Sequence, residues 1–133
     1  YDAYRGQWIT DNPDQRDDIV RTLQQWAPFS NSSPVEGIEE ALRDFYERDR
    51  KISIYILGDD FQGRSVKRVV DMVNQINQID RKIGGLARIH AIGFPVQFTA
   101  GREPGAGAIK FAALMRELSY NNGGTFVGLN SLN

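Results

Sequence analysis

The chain has 133 residues and a mass of 15.0 kDa, enough for one domain with a substantial core and too little for two. Hydrophobic residues make up 41% and charged residues 25%, which excludes the disordered and fibrous classes. Sixteen lysines and arginines against 17 acids leave a net charge of −1, so the whole chain is not a cationic nucleic-acid binder.

The charge is uneven. Residues 1–50 hold 11 acids and 6 bases, residues 51–133 hold 6 acids and 10 bases, a pattern that suits a polar interaction surface. Cysteine is absent, which removes disulfides, thiolate nucleophiles and sulfur-based zinc sites. No apolar run approaches the roughly 18–20 residues that span a bilayer. The opening Tyr1-Asp2-Ala3-Tyr4 carries no secretory pattern and reads as a cut through a longer protein.

In chain order, Gln7-Trp8-Ile9-Thr10 reads as the end of a strand. Asn12-Pro13-Asp14-Gln15 is a helix start, with a capping side chain and proline at the first helical position. Ile19, Leu23 and Trp26 follow at helical spacing and predict one buried face, and the helix should stop before Pro28. Ser33-Pro34-Val35-Glu36 is a capping box, and Val35, Ile38, Leu42 and Phe45 form the apolar stripe behind it. Acids Glu36, Glu39, Glu40 and Asp44 read as a solvated helix surface.

Ile52-Ser53-Ile54-Tyr55-Ile56-Leu57-Gly58 is almost continuously apolar, which predicts a central parallel strand covered on both faces. A helix over 65–80 has Val66, Val69, Val70, Val73 and Ile76 on its inner side. Residues 88–93 form the next strand, and the glycine- and proline-bearing stretch 94–107 a long loop. The helix over 108–120 places Ile109, Phe111, Ala113, Leu114 and Leu118 inward, and 125–129 is a last strand. The alternation of strands and helices predicts an α/β domain, Rossmann-like and doubly wound, with a mostly parallel sheet and helices on both faces.

Four motifs now line up. They are Ser32-Ser33-Pro34-Val35-Glu36-Gly37-Ile38-Glu39-Glu40-Ala41-Leu42, Ile54 to Asp60, Ile89-His90-Ala91-Ile92-Gly93-Phe94, and Phe111 to Phe126 with Asn122-Gly123-Gly124-Thr125. In this order they resemble the C-terminal two thirds of a von Willebrand factor type A domain. The resemblance spans about 30–129. It implies a protein-binding module of the adhesion type within a larger protein, and a site that holds Mg²⁺ or Mn²⁺ through hard oxygen ligands. Carried over, Asp59 takes the position of the family's aspartate and Ser32 that of its threonine, with Ser30, Asn31, Asp60 and Phe94 around the bound partner.

The chain departs from the family pattern in three places. No aspartate has serine at both +2 and +4, Ser30-Asn31 stands where the family has Gly-Gly, and Asp60 follows Asp59 in place of glycine. The first strand of the family is not in this chain, so the metal site is incomplete here.

Other constellations have simpler readings. His90, the one histidine, lies mid-strand and reads as structural, and no Gly-x-Ser-x-Gly elbow accompanies it. The segment 101–110 lacks the Gly-Lys-Ser/Thr of a phosphate loop. Arg64, Lys67, Arg68, Arg81 and Lys82 form a basic stretch with one aromatic, Phe61, nearby, a weak basis for binding nucleic acid. The expected function is therefore non-enzymatic. The rival is a Mg²⁺-dependent phosphoryl or ester hydrolase that uses Asp59 and Asp60 at the edge of the sheet.

Overall fold

A computed structural model describes residues 4–26, 33–47, 49–63, 65–77, 85–94 and 105–129. The chain divides into two compact units, Tyr1–Asn31 and Ser32–Asn133.

The first unit is built on helix α1 (Pro13–Gln25). Its start is as the sequence predicts: Asn12 Oδ1 accepts the backbone N–H of Asp14 at 2.8 Å, and Pro13 opens the helix. Tyr4 donates its hydroxyl to Asp18 at 3.0 Å. Two expectations fail here. Residues 7–10 form no strand, and of the face predicted to be buried Ile19 is half-buried while Leu23 and the C-cap Trp26 are exposed. Helical spacing reports which residues share a face, and it does not supply a surface to cover that face.

The second unit holds α2 (Pro34–Phe45), β1 (Ile52–Gly58), α3 (Val66–Asn77), β2 (Ala87–Gly93), α4 (Ala106–Asn121) and β3 (Phe126–Gly128). The Ser33 hydroxyl accepts the N–H of Glu36 at 3.4 Å, so the N-cap half of the expected capping box is present. The three strands run parallel in the order β1-β2-β3, with Ile54 beside Ile89, Ile56 beside Ala91, and Ala91 beside Phe126. Helices between successive parallel strands make this a Rossmann-like α/β fold, consistent with the von Willebrand A layout.

One core gathers on one face of the sheet. Ile38 and Leu42 of α2, Val70 and Val73 of α3, and Phe111, Leu114, Met115 and Leu118 of α4 pack on Ile52, Ala87, Ile89 and Ala91. Each such large side chain contributes about 1.5–3 kcal/mol by leaving water. The inner side predicted for α3 is correct. On α4 the inward set shifts: Met115 is fully buried, whereas Ile109 and Ala113 are exposed.

The opposite face is open among the described residues. Tyr55 is 62% exposed, Leu57 57% and Val127 48%, and the Tyr55 ring stacks on His90 with centroids 4.9 Å apart. Among the described residues β1 ends the sheet and is covered on one face, where the sequence predicts a central strand covered on both. A continuous apolar run does not distinguish a two-sided strand from one whose second face is still bare.

A polar knot closes the unit. The Asn77 side chain accepts from Ala87 N–H and donates to Ala87 C=O, both at 2.7 Å, and also donates to Asn122 Oδ1 at 2.7 Å. Asn122 in turn donates to Asn74 Oδ1 at 3.1 Å and Leu118 C=O at 2.8 Å. Gly123 follows at φ 66°, the left-handed turn that lets the chain leave α4 for β3.

Candidate functional site

The strands end together on glycine. Gly58 pairs with Gly93, and Gly93 with Gly128, so three residues without side chains lie abreast at the C-terminal rim of the sheet. Parallel α/β sheets place their ligands outside this rim. The glycines are fitted from beneath: a Cβ on Gly58 would lie 2.9 Å from the Phe111 ring, and one on Gly93 3.3 Å from the Phe126 ring.

The next rank of residues is Asp59, Phe94 and Leu129. The Phe94 N–H donates to Gly58 C=O at 2.8 Å and Leu129 N–H to Gly93 C=O at 2.9 Å, so the ladder continues one step past the glycines. Asp59 and Phe94 thus share the rim, and both are exposed, Phe94 by 38%.

Asp59 and Asp60 differ in what holds them. The Asp59 carboxylate has no hydrogen bond or ion pair among the described residues. Asp60 accepts from Phe61 N–H at 2.9 Å and from the Gln62 side-chain amide. Its carboxylate also fills the space in which a Cβ on Gly107 would stand, against the first turn of α4. That helix has no side-chain cap of its own at Gly105. A carboxylate beside the N-terminal end of a helix suits the partial positive charge there. Asp60 is therefore a structural acid that joins the loop after β1 to α4.

Phe61 anchors the same loop. Its ring is in the core and its N–H also reaches Gly107 C=O at 3.2 Å. The sequence presented Phe61 only as the aromatic neighbour of a basic stretch, and Gly107 only as part of a loop. The signal for both was a glycine two residues into a helix, directly opposite a strand-end Asp-Asp-Phe.

Ser30, Asn31 and Ser32 lie outside the described residues, as do Arg64, Arg81 and Lys82 of the basic stretch. The donor set can still be tested against a resident Mg²⁺, which wants an octahedron of oxygens with carboxylates among them. Among the described residues no group of three acids or histidines could hold a metal, and Asp59 is the single uncommitted carboxylate at the rim. These residues do not fit a resident metal ion on their own. Nor is any helix of the described residues long and apolar enough to cross a membrane.

No protein-family profile and no curated protein sequence matches the chain. A solved structure does: the conserved hypothetical protein BatB from Bacteroides thetaiotaomicron, with a TM-score of 0.54 and 14% identity, over 88% of this chain and 62% of that one. The chain thus spans about three fifths of the length of this neighbour. At such identity the likeness concerns the fold, and the chain shares with BatB the arrangement of an α/β domain of the Rossmann type.

Proposed function

We propose that the chain is a protein-binding module that engages its partner at the C-terminal rim of the sheet, through Asp59 and Phe94. The observation that carries this reading is the division of labour between neighbouring acids. Asp60 is tied to Phe61, Gln62 and the start of α4, while Asp59 stands exposed beside an exposed aromatic ring. An exposed aromatic ring on a rigid rim suits an interface anchor, and the free carboxylate next to it in the ladder can supply a directional polar contact at its edge. Asp59 would accept a hydrogen bond or face a cation of the partner, and Phe94 would lie against an apolar side chain.

The hydrolase reading asks both aspartates to serve chemistry, and the contacts of Asp60 argue against its half of that work. A bridging Mg²⁺ or Mn²⁺, as the family resemblance implies, would need ligands beyond Asp59. The resemblance names Ser32 and the family's first-strand loop, which is not in this chain, with a carboxylate of the partner to complete the shell.

The test is photo-cross-linking in the cells from which the protein comes, with benzoylphenylalanine in place of Phe94 and, separately, of exposed Glu39 on α2. The reading expects a discrete protein adduct from position 94, absent from position 39 and lost with Asp59→Ala. Identical adducts from both positions would refute it. Repeating the experiment with and without chelator reports whether a divalent ion takes part.

A further inference from the structure

We propose that Asn122 is a site of spontaneous deamidation, that the polar knot holds the site shut, and that conversion prevents the knot from re-forming.

Two structural needs write a chemically labile pair at the end of α4. The knot uses an asparagine at 122, and the turn out of the helix takes Gly123 at φ 66°, a conformation that disfavours every side chain. Asn122-Gly123 is the one Asn-Gly pair in the chain. With no side chain in the way, a glycine nitrogen reaches the neighbouring asparagine Cγ more readily than that of any other residue. The Gly123 nitrogen gives its proton to solvent base and bonds to Asn122 Cγ. The Cγ–Nδ2 bond breaks, and the nitrogen takes up a proton from water and leaves as ammonia. Water then opens the resulting five-membered imide. Attack on the side-chain carbonyl leaves aspartate, and attack on the main-chain carbonyl leaves isoaspartate, in which the chain runs through the former side chain.

The fold opposes the first step twice. Ring closure needs the Gly123 nitrogen and Asn122 Cβ to eclipse about the Cα–C bond, and a ψ of 26° at Asn122 sets them nearly on opposite sides. The side-chain amide is also held on both atoms. Oδ1 accepts from Asn77, and Nδ2 donates to Asn74 Oδ1 and Leu118 C=O. The carbon cannot turn toward Gly123 until these three bonds break, so the reaction proceeds only from a locally opened end of α4.

Neither product fits the closed knot. An aspartate has no hydrogen to give, so its oxygen would face the Leu118 carbonyl and bring a charge to a buried position. Isoaspartate lengthens the main chain by one carbon where there is no slack. Ile89 N–H donates to Asn122 C=O at 3.3 Å and Gly124 N–H to Ser119 C=O at 2.9 Å. Gly124 lies so close to β2 that a Cβ on it would overlap the Ile89 carbonyl. Each conversion therefore records one opening of the junction between α4 and β3, and leaves it open.

The experiment is incubation of the full chain at mildly alkaline pH. Conversion at 122 is followed by peptide mass spectrometry, and isoaspartate is counted with an isoaspartyl methyltransferase as reagent. In unfolding urea, Asn122 is expected to convert ahead of every other asparagine. Without urea, at the same pH and temperature, it should convert at least about a hundredfold more slowly. Asn77→Ala should raise that folded-state rate at least about tenfold and Asn74→Ala about threefold, since each removes a partner from the knot. If Asn77→Ala does not fold, Asn74→Ala decides alone. The converted protein, and Asn122→Asp, should unfold at lower urea than the wild type. Equal rates with and without urea, rates that the folded variants leave unchanged, or a converted protein with the wild-type midpoint would each overturn the inference.

Discussion

The Asn77 side-chain amide donates to Asn122 Oδ1 at 2.7 Å, across 45 residues of sequence and inside the core. This one contact ties α3 to the end of α4, and because Asn77 also holds both backbone groups of Ala87, it ties the pair to the start of β2. Replacing Asn77 with Ala leaves the Ala87 groups and Asn122 Oδ1 buried without partners. The expected cost is about 2–4 kcal/mol, read as a lower urea midpoint. Asn77→Asp should also destabilise, since a carboxylate can accept from Ala87 N–H but faces two acceptors, Ala87 C=O and Asn122 Oδ1.

Gly58 and Phe111 set a second expectation. A Cβ at Gly58 would lie 2.9 Å from the ring, so Gly58→Ala must displace Phe111 from the core and should cost about 1–3 kcal/mol. Phe111→Leu in the Gly58→Ala background should recover part of that loss in the same unfolding measurement. If Gly58→Ala is neutral, the fit beneath the rim is looser than described.

Asp60 and Gly107 are coupled through space. In an ordinary first turn, alanine for glycine is favourable by about 0.5–1 kcal/mol. Here the new Cβ would occupy the place of the Asp60 carboxylate, so Gly107→Ala should destabilise the wild type and be neutral or stabilising in the Asp60→Ala background. A double-mutant cycle measures this directly, and additive effects would mean the two residues do not touch.

On the solvent side of α3, Lys67 Nζ lies 3.0 Å from Asp71 Oδ2. The hydrogen bond to Asp71, and then its negative charge, hold the lysine above its usual pKa. A raised lysine pKa gives a contribution that is complete below the ordinary lysine range and fades as the pH rises through the raised value. Both groups are well exposed, so salt should weaken the pair. The urea midpoints of Lys67→Met and wild type should differ slightly at neutral pH and low salt, and converge in high salt or strong alkali. A difference that grows with alkali would contradict this.

The α/β order, the two capped helix starts, the inner side of α3 and the place of Asp59 at the end of its strand were legible in the sequence because each is a local pattern. Capping is written in four residues, and a strand-end aspartate follows its strand wherever the strand goes. What was not legible is relational. The apolar run of β1 looks the same whether one face or both are covered, and α1 shows helical spacing although none of its residues is fully buried among the described residues. The separate fates of Asp59 and Asp60 depend on Gly107, 47 residues after Asp60, whose missing side chain only acquires meaning when α4 arrives beside the loop.

The claim on which the account turns is that adjacent acids have different duties, and one paired measurement addresses it: the unfolding midpoint and the position-94 cross-linking yield of Asp59→Ala and Asp60→Ala. The account predicts that Asp60→Ala loses about 1–2 kcal/mol of stability, while Asp59→Ala keeps the wild-type midpoint and loses the cross-link. An Asp59→Ala protein that cross-links as well as wild type, or that loses as much stability as Asp60→Ala, would contradict it.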